Sequence, residues 1–200
     1  QMLWTRSIQW FVLSIAITGC AASNNPLRKE IKLLQKGIVK DDTSYVYALP
    51  YKAGKKYRVI QGYFSRMTHK ERAALDFNLH RGDTITAARD GVVSRVKEDG
   101  RKGGLNKKYR SEGNNIVIQH ADGSRAGYWH LQHQGALVNT GDSVKKGQPI
   151  GLAGKTGYAF VPHLHFLVWK FNNGQWQQIP TRFQTQKGVV YLRAWKKYKN

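Results

Sequence analysis

From Tyr45 onward the chain shows no helical period of useful length, and this restricts its fold more than anything else in its 200 residues. Short β-prone runs alternate with Gly, Asn and Asp punctuation instead. Candidate strands are Tyr45–Ala48, Tyr57–Gln61, Ala74–Asn78, Thr84–Ala88, Val92–Lys97, Asn115–His120, Arg125–His130, Pro149–Gly151 and Leu164–Phe171. Strands this short and this closely spaced predict an all-β sandwich or barrel-like fold. Arg101 to Glu112, rich in Gly and Lys, reads as a mobile basic loop. One stretch repeats. Gly82-Asp83-Thr84-Ile85-Thr86 is echoed by Gly141-Asp142-Ser143-Val144-Lys145, and Gly91 and Gly151 precede the strand that follows each copy. The echo predicts two copies of one sharply turning β unit.

The first 42 residues are of another kind. Arg6 is the only charge before Cys20, and Ile8 to Ile17 is apolar apart from Gln9 and Ser14. That run is too short to span a bilayer, which needs ~20 apolar residues. It has the layout of a secretory signal, with Met2 as the start. It ends Ile17-Thr18-Gly19-Cys20, at the only cysteine. A branched aliphatic residue, two small residues and a cysteine resemble the lipobox of bacterial lipoproteins. That resemblance implies a signal peptide over residues 1–19 and acylation of Cys20. It also implies a lipid-anchored protein of the cell envelope, on the outer membrane facing the periplasm, because Ala21 rather than Asp follows the cysteine. Each buried CH₂ of an acyl anchor contributes ~0.8 kcal/mol. Residues 20–42 read as a tether containing a short helix, with Leu27, Ile31 and Leu34 on one face; a helix docked on the domain is the alternative. Residues 43–200 are the domain. A single cysteine excludes an intrachain disulfide framework and any four-cysteine metal site.

Lys and Arg number 33 against 12 Asp and Glu, a formal charge of +21. Such an excess calls for an anionic partner: nucleic acid, an acidic membrane surface or an acidic polymer. No zinc-finger spacing, RNP-like aromatic motif or basic helix supports nucleic acid, and export would keep the chain away from it. Residues 1–19 hold only Arg6 of the charge; much of the remainder clusters in Lys52–Arg58, Arg101–Arg110 and Arg193–Lys199. Those clusters suit an anionic polymer of the envelope or acidic lipid headgroups.

Histidines carry the candidate chemistry. His163-Leu164-His165 opens a run continuing to Trp169. Residues two apart in a strand share a face, separated by ~7 Å. One imidazole can then bind a metal while the other reaches a substrate, with Leu164, Phe166 and Val168 turned to the core. His69 and Asp76 can meet at one ion if the chain between them folds back. Two imidazoles and a carboxylate suit tetrahedral Zn²⁺ with one position open for water. Tyr128-Trp129-His130-Leu131 adds a further histidine; Tyr128 alternates onto the face of His130 and could reach the site as support, but packing is its expected role. H-E-x-x-H is absent, so histidines would have to serve as general base. His80, His120 and His133 read as turn or loop residues, with His120 a candidate support through a hydrogen bond.

Taken in order, His69…Asp76, Tyr128-x-His130-Leu131 and His163-x-His165 resemble the lysostaphin-like peptidoglycan metalloendopeptidases. Gln61-Gly62-Tyr63, Ala74-Leu75-Asp76-Phe77, Ala87-Ala88-Arg89-Asp90-Gly91-Val92-Val93 and Pro162-His163-Leu164-His165-Phe166 extend the resemblance from about Tyr45 to the C-terminus. It implies a duplicated β-hybrid fold with an antiparallel sheet flooring a substrate groove. It implies one Zn²⁺ per chain on His69, Asp76 and His165, with His130 and His163 catalytic beside it. A metal in that donor set would lower the pKa of a bound water to roughly 7. Many relatives have three residues between the first His and Asp; six here imply a longer loop. The expected activity is hydrolysis of peptide stems or cross-links of peptidoglycan, with D-Ala–meso-diaminopimelate as the bond, by a monomer. The alternative is a non-catalytic wall-binding protein or amidase activator on the same fold. Such relatives typically lose metal ligands, and all three are present here.

Overall fold

The computed structural model describes residues 26–39 and 45–200. The signal segment and Cys20 lie outside them. One helix, α1 (Pro26–Lys36), precedes fourteen strands: β1 (Val46–Tyr47), β2 (Lys56–Gln61), β3 (Ala74–Phe77), β4 (Thr84–Thr86), β5 (Gly91–Lys97), β6 (Asn114–Gln119), β7 (Arg125–Ala136), β8 (Ser143–Val144), β9 (Pro149–Ala153), β10 (Leu164–Asn172), β11 (Gln175–Ile179), β12 (Arg182–Thr185), β13 (Gly188–Tyr191) and β14 (Lys197–Lys199). The main sheet runs β14-β2-β3-β10-β7-β6-β5-β8 and is antiparallel throughout. β11 pairs with β10, and the β4–β9 pair joins through β7. A small sheet of β1, β12 and β13 packs beside it, with β1 parallel to β12.

Alternation along the strands divides the main sheet into a core face and an open face. Tyr57 and Val59, Leu75 and Phe77, Ile116 and Ile118, Ala126 and Tyr128, and Leu164, Phe166 and Val168 all turn into one core. The intervening residues of β2, β3, β10 and β7 face the other way. They form the floor on which the functional residues stand.

The internal echo is a real repeat at the level of hydrogen bonds. Gly82 N–H donates to the Ala153 carbonyl and Ala153 N–H returns to Asp83; Gly141 N–H donates to Val93 and Val93 N–H returns to Asp142, each at 2.8 Å. Asp83 accepts the His80 N–H and Asp142 the Asn139 N–H through the side chain, both at 2.7 Å. Gly82 and Gly141 sit at φ +82° and +98°, where a Cβ would be strained.

α1 takes the docked alternative to a free tether, and two further features depart from the sequence reading. α1 starts on Pro26, ends on Gly37 at φ +71°, and is docked: Ile31 is buried, and Gln35 Nε2 donates to the Leu192 carbonyl at 2.8 Å. The basic loop, expected to be mobile, is fastened. Asn114 bonds both backbone groups of Gly100 at 2.8 Å, Glu112 accepts the Arg101 and Lys102 N–H groups, and Lys107–Glu112 forms a turn of 3₁₀ helix. Strands β11 to β14 were not expected.

Candidate metal and catalytic site

The antiparallel register of β3 and β10 sets Asp76 directly opposite His165. His69 comes from the preceding loop, which does fold back: Phe64 N–H bonds the Arg72 carbonyl at 2.9 Å and Arg72 N–H bonds His69 at 3.1 Å. His165 Nδ1 lies 2.7 Å from Asp76 Oδ1; His69 Nε2 is 3.2 Å from His165 Nδ1 and 3.4 Å from Asp76 Oδ1. Tetrahedral coordination at ~2.0–2.1 Å sets donor atoms ~3.3 Å apart. Two imidazole nitrogens and one carboxylate oxygen within 4.8 Å of one another therefore fit one metal ion.

Three imidazoles are aimed by backbone carbonyls. A carbonyl only accepts, so the facing Nδ1 carries the hydrogen and Nε2 is left with its lone pair. His69 Nδ1 bonds Gly62 at 3.3 Å, His130 Nδ1 bonds Thr156 at 2.7 Å, and His163 Nδ1 bonds Val161 at 2.8 Å. His130 and His163 stand side by side, ring centroids 4.6 Å apart, and His163 Nε2 is 3.8 Å from Asp76 Oδ1.

Burial alone would raise the Asp76 carboxyl. The contacts with His165 and His69 outweigh it and hold the group far below the usual carboxylate range. Burial lowers His165, against the pull of Asp76. Burial, with His163 and His165 as neighbours, lowers His130 to about 3. A neutral His165 beside an ionised Asp76 is the protonation state that metal binding needs.

His130 reaches this site through a β-bulge. Asn115 pairs with Trp129 and Asn114 with Leu131, which leaves His130 as the extra residue, at φ +69°. The expectation that Tyr128 shares its face is therefore corrected, while its expected packing role holds. Tyr128 is fully buried, its ring meets Phe166 at 5.2 Å, and its hydroxyl accepts the Ala88 N–H at 2.8 Å. Tyr128→Phe is expected to cost about 1–3 kcal/mol by leaving that N–H unpaired. Thermal melting checks this, with turnover unaltered. His120 is also outside the site: buried against Tyr47, its Nδ1 donates to the Asp90 carbonyl at 2.7 Å. Two residues not singled out from sequence do matter. Trp129 packs edge-on to His165 at 5.9 Å, and Thr156 holds His130.

A groove of about 1040 Å³ passes over the cluster. β2, β3, β10 and β7 floor it; Met67 and Thr68, Leu105 and Arg110, and Tyr158 to Val161 wall it. Phe160, Met67 and Leu105 are largely exposed on its rim.

Such a donor set at the bottom of an open groove is the arrangement a metal-dependent hydrolase requires. The chain belongs to peptidase family M23, whose sequence profile matches residues 70–179. It is 37% identical over 58% of its length to an uncharacterised metalloprotease of Buchnera aphidicola, of which it covers 29%. It is 28% identical over 78% of its length to the peptidoglycan DD-endopeptidase ShyA of Vibrio cholerae, of which it covers 38%. The chain thus spans well under half of either relative. Pseudoalterin, a deep-sea M23 metalloprotease, shares the fold at TM-score 0.53 and 19% identity, over 79% of this chain and all of that one.

Proposed function

We propose that this chain is a zinc-dependent endopeptidase that hydrolyses peptide cross-links of bacterial peptidoglycan, between D-Ala and meso-diaminopimelate. The observation that carries the reading is the convergence of His69, Asp76 and His165 on one point of an open groove, with two further imidazoles beside it. Two nitrogens and one oxygen are a donor set that suits zinc and leaves a coordination position open. The named activity of ShyA supports the substrate class.

When bound, zinc would acidify a water and polarise the scissile carbonyl. Asp76 and the two ligand imidazoles would leave it a net charge near +1. His130 and His163 hold their Nε2 lone pairs toward the groove, and either can take the water proton and return it to the leaving amine. Their carbonyl partners, Thr156 and Val161, keep both rings from turning away. We also propose that the chain acts as a monomer, lipid-anchored through Cys20 in the envelope. The mass of the mature protein tests the anchor: a chain beginning at an acylated Cys20 is expected, and an unmodified N-terminus would exclude it.

Purified cross-linked sacculi provide the main test. Digestion is expected to release muropeptides cut at the D-Ala–diaminopimelate bond, as read by mass spectrometry, and a chelator should stop the release. Cleavage of glycan alone, or cleavage indifferent to chelator, would exclude the reading.

A further inference from the structure

We propose that the groove continues past the metal site into a cationic arm, formed by Lys56, Arg58, Lys197 and Lys199 with Trp195, that holds a carboxylate-bearing strand of the polymer. The proposal deepens the endopeptidase reading and rests on it for the identity of that polymer.

Register and burial place the arm. Tyr57 and Val59 of β2 enter the core, so Lys56, Arg58 and Ile60 take the opposite face, and Ile60 lines the groove. On β14, Tyr198 packs against the core, leaving Lys197 and Lys199 on that same open face. Lys197 lies directly opposite Arg58, and Lys199 opposite Lys56. Asn78 N–H bonds the Arg58 carbonyl at 2.9 Å, and Asn78 lines the groove two residues beyond Asp76. One strand across and two residues along puts Arg58 on the order of 8 Å from Asp76, Cα to Cα.

Two observations mark this as a binding surface. Like charges directly opposed across a strand pair are destabilising. None of the ion pairs among the described residues includes any of these four cations. β14 also ends the sheet, so among the described residues no further strand pairs beyond it. Trp195, beside β14, is the second observation. Its backbone is at φ +67°, the residue is 66% exposed, and it lines the groove. A non-glycine residue in that conformation is strained, and no burial of the indole offsets it. An exposed indole beside four cations that join no ion pair among the described residues suits a ligand with a flat or apolar backbone and repeated carboxylates. Stem peptides with free carboxylates have that chemistry.

Lysines on an edge strand can also serve merely to repel other strands, and the experiment separates the two roles. Wild type and R58Q/K197Q are pelleted with sacculi in chelator, and their hydrolysis is followed with metal. The dissociation constant of the double variant is expected to rise about five-fold. The difference should fade at high salt, and the loss should fall on KM rather than kcat. Sacculi with amidated carboxylates should bind both proteins equally, while W195A should bind even these more weakly than wild type. Equal binding of wild type and R58Q/K197Q to unmodified sacculi would overturn the proposal. So would a loss confined to vesicles of anionic phospholipid. If wild type outbinds the variant but neither cuts sacculi, the arm stands and the endopeptidase reading falls.

Discussion

Replacing His165 with Ala is expected to take bound metal from one ion per chain to near none. Activity on sacculi should fall at least about 10³-fold, a barrier difference of about 4 kcal/mol. His165 is the pivot of the donor set: it lies 2.7 Å from Asp76 and 3.2 Å from His69. Without it, one nitrogen and one carboxylate oxygen remain, too few to outcompete water for a divalent ion. The fold should survive, because Leu164, Phe166 and Val168 hold β10 in the core whatever stands at 165. Asp76→Asn should act alike, removing the charge while keeping the shape. Melting supplies a readout independent of turnover. An ion present at a thousand times its dissociation constant stabilises by about 4.1 kcal/mol. For a domain of this size that is on the order of 10 °C in Tm. Zinc should produce such a shift in wild type and none in His165→Ala; an equal shift in both would show that the ion sits elsewhere.

The placement of His165 was legible in the sequence because strand alternation is a strict rule. Once His163-Leu164-His165 is read as the start of a strand, Leu164 and Phe166 must face the core and His165 the groove, and both core residues are buried. The Gly-Asp echo was legible for a similar reason: positive-φ turns need glycine, and an adjacent Asp caps them. What could not be read depended on partners distant in the chain. β11, Gln-Trp-Gln-Gln-Ile, buries no residue fully and exists because β10 offers it an edge. The basic loop is fixed by Asn114 and Glu112, and by Gly103 approaching Lys155 so closely that a Cβ there would meet its carbonyl oxygen. No pattern within residues 101–112 states this. The bulge in β7 is the costliest omission, since alternation counted through it puts His130 on the face of Tyr128.

That bulge yields the second large effect. His130→Ala and His130→Gly are both expected to retain metal and to lose about 10²–10⁴-fold in kcat, the usual contribution of a positioned acid–base group. Their stabilities should differ. His130 occupies φ +69°, which alanine inherits with its Cβ and glycine adopts freely. His130→Gly should therefore be about 1 kcal/mol more stable than His130→Ala, although both lose the same imidazole and the same bond to Thr156. In ordinary strand positions the order is the opposite, with glycine the weaker residue. His163 supplies the control. It has no positive φ among the described residues, so His163→Gly should be no more stable than His163→Ala, while both lose activity. The inversion of stability at 130, absent at 163, would show that strain in β7 is what carries the imidazole across the sheet to the groove. Equal stability of the two His130 variants would mean that the backbone relaxes without cost, and the bulge would then not be what holds His130 at the site.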